Sequence, residues 1–286
     1  MSKLVWIDGQ RVPLAQAKIS VFDHGLLYGD GVFEGLRQYN GGIFRPQEHL
    51  DRLFDSARAI RLEIPYSASE LLRAMEETLA ANALQESYIR LVVTRGVGLL
   101  GISPANCQRP SVFIITDTIQ MYPAELYRTG MAIITASTVR TAPNALSPKI
   151  KSLNYLNNIL AKWEAIDAGV PEAVMLNHLG YVCECTGDNI FIVRRGELLT
   201  PPPESGLLMG ITRGVVLELA GKAGIPTRQT NLLRSDLYTA DECFLTGSGA
   251  EVIAVTSIDK RPIGPGKVGP ITQQLSAAFH HYARHG

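Results

Sequence analysis

The sequence of 286 residues is short of several things at once. It has no excess charge of either sign, since 27 lysines and arginines balance 27 aspartates and glutamates. No net field therefore attracts nucleic acid or an anionic membrane, and no basic tract with interleaved aromatics appears. The four cysteines, Cys107, Cys183, Cys185 and Cys243, make no CxxC pair. Metal and thiol-redox chemistry are not expected, and a reducing cytoplasm fits best. No apolar stretch approaches the length that spans a bilayer, and the start, Met1 to Asp8, reaches a charge before any signal-type run develops. No GxGxxG fingerprint and no GK[ST] phosphate loop is present. Internal repeats and low-complexity tracts are missing too. What remains is an ordinary globular composition, 46% hydrophobic and 19% charged, long enough for two domains with separate cores.

The first half alternates strands and helices. Leu4 to Ile7, Asp8-Gly9 and Gln10 to Val12 predict a hairpin with a two-residue turn. A second hairpin runs from Gly31 to Tyr39, turns at Asn40-Gly41-Gly42, and returns through Ile43-Phe44-Arg45. Alternation puts Phe33, Gly35 and Arg37 on one face of it, and Glu34 and Leu36 on the other. An arginine beside a phenylalanine and a glycine, close to Tyr28, is either an anion site with an apolar wall or an ordinary half-exposed strand. Pro46 to Leu62 has helical spacing through Leu50, Leu53, Phe54, Ala57 and Ile60, with Arg52 at the edge of the buried stripe. Ser67 and Glu70 form a capping box for a second helix through Leu71, Met75 and Leu79. Tyr88 to Thr94 is a strand with Tyr88 and Arg90 on one face. Gly96 to Pro104 reads as a mobile glycine-rich loop, and Ser111 to Ile115 as a buried strand.

A polar run closed by Pro123 suggests a linker, giving a small domain over 1–117, a linker over 118–125 and a larger domain over 126–286. In the second part, Met131 to Ala136 is a strand. After a proline-bearing connection, Lys151 precedes a helix in which Leu156, Ile159, Leu160 and Trp163 recur at the spacing of a buried face, with Asn154 or Ser152 as cap. A lysine held there is partly desolvated and can serve as a nucleophilic amine; an unheld one is a surface charge. Strands follow at Glu172 to Leu176, Tyr181 to Thr186 and Asn189 to Val193. Alternation sets Glu184 opposite Cys183 and Cys185, so Glu184 is expected to have a cationic or donor partner. Gly206 to Arg213 opens a helix with free amide donors, and Thr246 to Glu251 offers a second such turn; each is a phosphate nest or a plain cap. The last helix is expected over Ile271 to Tyr282.

An amine, a carboxylate and several anion-binding turns are together what pyridoxal 5′-phosphate requires: the amine for its aldehyde, the carboxylate for its ring nitrogen, the donors for its phosphate. The chain resembles the fold-type IV pyridoxal-phosphate enzymes, and among them the branched-chain amino acid aminotransferases. The resemblance is carried, in order, by Tyr28-Gly29-Asp30-Gly31-Val32-Phe33-Glu34-Gly35-Leu36-Arg37, His49-Leu50-Asp51-Arg52-Leu53, Tyr88-Ile89-Arg90, Ile150-Lys151-Ser152-Leu153-Asn154-Tyr155, Glu184-Cys185-Thr186-Gly187-Asp188-Asn189, Gly210-Ile211-Thr212-Arg213 and Gly247-Ser248-Gly249-Ala250-Glu251.

That resemblance implies a two-domain mixed α/β (α+β) fold with the cofactor between the domains. It implies that Lys151 is the catalytic lysine, that Glu184 pairs with the ring nitrogen, and that Tyr155 lies near the ring hydroxyl. Arg52, Ile211, Thr212 and Ser248 would hold the phosphate. Tyr28, Phe33, Gly35, Arg37, Tyr88, Arg90, Gly249 and Ala250 would meet the substrate. Ile102 would reach a neighbouring subunit's site, so a homodimer is implied. Tyr155 follows Lys151 by four residues, one fewer than in some relatives, and Ser248-Gly249 stands where many carry threonine-alanine. The implied reaction is ping-pong transfer between a branched-chain L-amino acid and 2-oxoglutarate. Three alternatives remain at this stage. D-amino acid aminotransferases carry arginine and histidine where this chain has Gly98-Leu99-Leu100-Gly101. An aminodeoxychorismate lyase has no obvious need of paired Arg37 and Arg90. The third is a non-enzymatic anion-binding protein.

Overall fold

The computed structural model describes residues 3–285. By packing, the chain divides into two units. The first runs up to Ile119 and takes in Ile150–Asn154; the second holds Gln120–Lys149 and everything from Tyr155 onward. A single cut near 118–125 does not anticipate the return of 150–154 to the first unit, because that short segment is bound by backbone contacts rather than by a hydrophobic pattern.

The first unit is an antiparallel sheet of six strands covered by two helices. In chain order it contains β1 (Leu4–Ile7), β2 (Gln10–Pro13), α1 (His24–Tyr28), β3 (Gly31–Tyr39), β4 (Gly42–Ile43), α2 (Pro46–Ala59), α3 (Ala68–Ala81), β5 (Ser87–Thr94) and β6 (Ser111–Asp117). The strand order is β2-β1-β6-β5-β3-β4. Alternation decides which side is core: Val32 and Leu36, Ile89, Leu91 and Val93, and Val112 and Ile114 meet Leu50, Leu53 and Ala57 of α2 and Leu71, Met75 and Leu79 of α3. The capping box holds, with Ser67 Oγ accepting from Glu70 N and Glu70 Oε2 accepting from Ser67 N. Two boundaries differ from the sequence reading. Tyr39 pairs with Gly42, so the turn is Asn40-Gly41 alone, and α2 stops at Ala59 rather than Leu62.

The second unit is a mixed sheet of nine strands with helices packed on it. It contains α4 (Ala124–Thr129), β7 (Met131–Thr135), α5 (Leu156–Asp167), β8 (Glu172–Leu176), β9 (Val182–Cys185), β10 (Asn189–Arg194), β11 (Glu197–Thr200), α6 (Ile211–Lys222), β12 (Thr227–Gln229), α7 (Arg234–Tyr238), β13 (Glu242–Gly247), β14 (Glu251–Ile258), β15 (Arg261–Pro262) and α8 (Pro270–His285). Its order is β12-β11-β10-β13-β14-β7-β8-β9, with β15 beside β14. One face is the main core, through Met131, Ile133, Val174, Ile190, Ile192, Cys243, Leu245, Ile253 and Val255. Helices α6 and α8 pack on β13, on the face where Phe191 and Phe244 stack at 5.0 Å.

Helix α5 corrects the sequence reading most sharply. Leu156, Ile159, Leu160 and Trp163 are 67, 49, 50 and 56% exposed. The buried face is instead Asn158, Ala161 and Ala165. The two alanines cluster with Ala136, Ala173 and Met175, so small side chains let the helix approach the sheet closely and turn the large ones outward. Neither Asn154 nor Ser152 caps it. Tyr155 stands at the N-cap, where its side chain makes no capping bond, while Asn154 Nδ2 donates to Gly29 O.

Candidate active site

Lys151 is built into the first unit by its backbone. Phe33 N donates to Lys151 O at 3.0 Å and Leu153 N to Gly31 O at 2.9 Å, around a single bridge between Val32 and Ser152. On the other side Lys151 N donates to the buried Ser56 Oγ of α2 at 3.1 Å. The lysine lies in no regular strand; it is strapped between β3 and α2. Its half-buried side chain carries Nζ to 4.5 Å from the centre of the Phe33 ring.

Phe33 belongs to the sheet face turned away from the helices. Gly35 opposes Arg90, and Arg37 opposes Tyr88, so all five side-chain positions share that face. The absence of a side chain at Gly35 makes room for Tyr88, since a methyl group there would lie 1.9 Å from Tyr88 Oη and displace it. The Arg90 guanidinium sits 4.4 Å over the Phe33 ring and 5.6 Å from the Tyr88 ring. Arg37 lies 5.4 Å over Tyr39. Ile115 of β6, opposite Arg90, extends the apolar wall, and nothing in its strand pattern distinguished it beforehand. Tyr28 is not on this face. It ends α1, and its Oη accepts from Gly101 N at 2.9 Å, next to Ile102, which is 84% exposed.

On the helix side of β3, Glu34 is fully buried and accepts from Arg52 Nε at 2.7 Å, Arg52 Nη2 at 2.8 Å and His49 Nδ1 at 2.7 Å. Burial alone would push this carboxyl up, but Arg52 and the bonds from His49 and Arg52 outweigh it and hold it at about 2. Burial keeps His49 below its ordinary range. Arg52 thus reaches inward as expected from the edge of the stripe, and Glu34 fixes its fork.

In the second unit Glu184 lies on β9. Its Oε1 accepts from Arg140 Nε at 2.8 Å and its Oε2 from Leu208 N at 2.9 Å. The expected cationic partner is therefore Arg140, a residue that sequence reasoning missed because it sits in the proline-bearing connection without pattern. Arg140 is itself held, its Nη1 donating to Asn157 Oδ1 at 3.2 Å. The alternation around Glu184 is not simple. A bulge between Met175 and Leu176 in the pairing of β8 with β9 breaks it, and Cys183 Sγ contacts Ser205 O at 2.9 Å. Glu184 and Cys183 thus address the same 205–208 segment, contrary to the opposed faces read from the sequence.

The two expected nests are also in this unit. Ile211 and Thr212 begin α6 behind Gly210, an N-cap with no side-chain bond. Asn189 Nδ2 donates to Leu208 O at 2.9 Å, and a methyl group on Gly210 would meet Asn189 Oδ1 at 2.1 Å, so a side chain there would displace Asn189. Ser248, Gly249 and Ala250 form the turn between β13 and β14, with Met121 packed on Gly249. Just before that turn, the buried Thr246 Oγ1 has no hydrogen-bond partner among the described residues. Tyr155 is half-buried at the start of α5.

Behind these residues two carboxylates are buried together. Tyr122 Oη donates to Asp188 Oδ2 at 3.2 Å and to Glu172 Oε2 at 3.3 Å. Glu172 also pairs with Lys162 at 3.2 Å and accepts from Thr186 N and Oγ1. Burial first, and then the charge of Glu172, push the Asp188 carboxyl up to about 7.

Comparison with known proteins gives one answer at every level. A family model described as amino-transferase class IV matches residues 31–258. A Methanocaldococcus jannaschii protein provisionally named a branched-chain-amino-acid aminotransferase is 50% identical over 275 residues, 96% of this chain and 94% of that one. The crystal structure of the Escherichia coli branched-chain amino acid aminotransferase superposes with a TM-score of 0.96 at 36% identity, covering 99% of this chain and 95% of the other. The T.th. branched-chain amino acid aminotransferase gives 0.95 at 38% identity with pyridoxamine 5′-phosphate, and 0.93 at 37% identity with N-(5′-phosphopyridoxyl)-L-glutamate. In both cases the coverage is 99% of this chain and 94% of the other.

Proposed function

Because the chain belongs to the amino-transferase class IV family, we propose that it moves the amino group between a branched-chain L-amino acid and 2-oxoglutarate, in two half-reactions on pyridoxal 5′-phosphate. The observation that carries this is the β3 face: a backbone-strapped lysine with Nζ over Phe33, beside an arginine stacked on the same ring. An amine, a cation and an apolar wall on one surface suit an amino acid with an aliphatic side chain. The L-glutamate adduct of the T.th. relative supports glutamate as the other donor.

The residues present fit the cofactor. Glu184 is a carboxylate already oriented by two donors, and α6 begins without a side-chain cap. The first amides of a helix have no acceptor within it and face the positive end of its dipole, which favours a phosphate. When bound, the cofactor supplies an aldehyde that takes up the amino group and a ring that accepts electrons. Lys151 Nζ is the amine and the base that carries a proton to and from the substrate carbon. Glu184 Oε would hold the proton on the ring nitrogen, and Arg140 keeps that carboxylate aimed. Thr212, Ser248 and the Ile211 amide, all of the second unit, hold the phosphate. Tyr155 serves the ring hydroxyl, and Gly35, Arg37 and Tyr88, on one face of the first sheet, bound the substrate.

The active form is a homodimer, with Ile102 entering the partner's site. Its support is the outward face of α5, where Leu156, Ile159, Leu160, Trp163 and Ile166 are about half exposed or more. Full burial of such side chains is worth about 1.5–3 kcal/mol each. No helix among the described residues is long and apolar enough to cross a membrane, and all four cysteines are free, in keeping with a cytoplasmic enzyme. The test is a panel of amino donors with 2-oxoglutarate as acceptor. Leucine, isoleucine and valine should lead it, and Lys151→Ala should turn over none of them; a preference for D-alanine would reject the reading.

A further inference from the structure

Thr246 is 1% exposed, and its Oγ1 has no hydrogen-bond partner among the described residues. The strand register shows where that hydroxyl points. In the pairing of β10 with β13, Thr246 stands directly opposite Asn189, and Phe244 opposite Phe191. Opposed residues of an antiparallel pair share a face. Ile190, Ile192, Cys243 and Leu245 take the other face, into the main core. Asn189, on the Thr246 side, donates to Leu208 O and abuts Gly210, and Gly210 is the N-cap of α6. The orphan hydroxyl therefore faces the start of a twelve-residue helix with no side-chain cap. Valine would fill the same volume on a buried strand without leaving a polar atom unpaired. Threonine at this place points to a ligand that accepts its proton.

We propose that Thr246 Oγ1 donates a hydrogen bond to the phosphate of the cofactor, as a further phosphate-binding residue beside Thr212 and Ser248. The inference rests on the pyridoxal-phosphate reading above. A phosphate oxygen only accepts, so the hydroxyl is the donor, and its partner is the anion favoured by the amides and dipole of α6. The Asn189 amide nitrogen is already committed to Leu208 O and its oxygen lies against Gly210, while the hydroxyl of Thr246, on the same face, is without a protein partner among the described residues.

The test compares wild-type protein with Thr246→Val and Thr246→Ser, each stripped of cofactor and titrated with pyridoxal 5′-phosphate and, separately, with pyridoxal, which has no phosphate. Melting of each stripped protein is followed in parallel. A bond to a charged acceptor predicts pyridoxal-phosphate affinity about 10- to 150-fold weaker in Thr246→Val, near-wild-type affinity in Thr246→Ser, and no change toward pyridoxal. The stripped Thr246→Val protein should melt no lower than wild type, since it loses only an unpaired hydroxyl. Equal pyridoxal-phosphate affinity in wild type and Thr246→Val overturns the inference. So does an equal loss toward pyridoxal, or a lower melting temperature in the stripped variant, since either makes the hydroxyl structural. Failure of the wild-type protein itself to bind pyridoxal 5′-phosphate removes the underlying reading, a distinct result.

Discussion

Arg52 and Glu34 meet as a fork on a fork, Nε to Oε1 at 2.7 Å and Nη2 to Oε2 at 2.8 Å, with the carboxylate wholly inside the first unit. The Glu34 carboxyl is held at about 2 against an ordinary 4.5. A carboxyl with a depressed folded value binds fewer protons folded than unfolded, so its contribution is complete above pH 4.5 and is lost as pH falls toward 2. Wild-type stability should therefore drop by about 3 kcal/mol across that window, read by urea unfolding at a series of pH values. Glu34→Gln should remove the drop. At neutral pH it should also cost about 3–5 kcal/mol, because it removes one charge of a buried ion pair. An unchanged acid limb in the variant would falsify the assignment.

Asp188 has the opposite sign. Its carboxyl is raised by burial and by Glu172, with Tyr122, Lys162 and Glu184 also facing it. A carboxyl raised in the folded state contributes stability that is complete below pH 3.8 and is lost as pH climbs through about 7. Asp188→Asn keeps an acceptor for Tyr122 and removes the charge. The stability of this variant, measured against wild type between pH 5 and 8, should improve by about 2–4 kcal/mol as pH rises. A parallel pair of pH profiles would show that Asp188 is already ionised at pH 5.

Much of the site was readable in the sequence because its parts lie on regular elements. Period-two alternation grouped Phe33, Gly35 and Arg37 on one strand and Tyr88 and Arg90 on another, and the sheet register puts both groups on the same face. The same alternation put Glu34 beside Leu36 on the opposite face, which the structure shows to be the core side; the partners of Glu34, Arg52 and His49, lie three residues apart on one helix. Arg140 and Ser56 were not readable. One sits in an irregular connection and the other holds a backbone amide, and neither role leaves a periodic trace. The face of α5 was misread because large apolar residues at helical spacing look like core, whereas alanines were the residues small enough to be buried. The bulge at Cys183 is a one-residue shift of register, which composition does not reveal.

Arg140 now carries a specific expectation. It orients Glu184 without being placed among the residues that would touch substrate. Arg140→Met should slow turnover about 10- to 100-fold, as loss of an outer partner does at other tuned sites, while KM for leucine changes little. Glu184→Gln should reduce turnover further, since charge as well as aim is lost. A rise in KM without a fall in kcat for Arg140→Met would make that residue part of the substrate pocket.

The outward face of α5 predicts an assembly. Trp163 is 56% exposed and Ile159 49% on the same helix. Trp163→Asp places a charge in the middle of that face, and sedimentation should show a shift from dimer toward monomer with far-ultraviolet helicity retained. The same variant analysed at rising protein concentration should recover dimer. Wild-type protein that sediments as a monomer at micromolar concentration would remove the dimer from the proposal.

In the proposed reaction, Arg90 is the residue that would let one surface serve two unlike substrates. Its guanidinium lies 4.4 Å over the Phe33 ring, and the amine of Lys151 is 4.5 Å from the same ring, so cation, amine and apolar wall are within one side chain's reach. A branched aliphatic side chain needs only the wall. Glutamate brings a second carboxylate, which has to be desolvated against that wall unless a cation meets it. A stacked arginine keeps its edge available for hydrogen bonds while its face rests on the aromatic ring. A charge-assisted bond there is worth about 1.5–3 kcal/mol, a factor of about 10 to 150. Arg90→Ala should accordingly reduce the single-turnover rate constant per unit concentration for glutamate by that factor and leave the leucine half-reaction within about threefold. Arg90→Lys should recover only part of the glutamate activity, because an ammonium cannot stack and bond sideways at once. Equal losses for leucine and glutamate would assign Arg90 to the α-carboxylate that both substrates share.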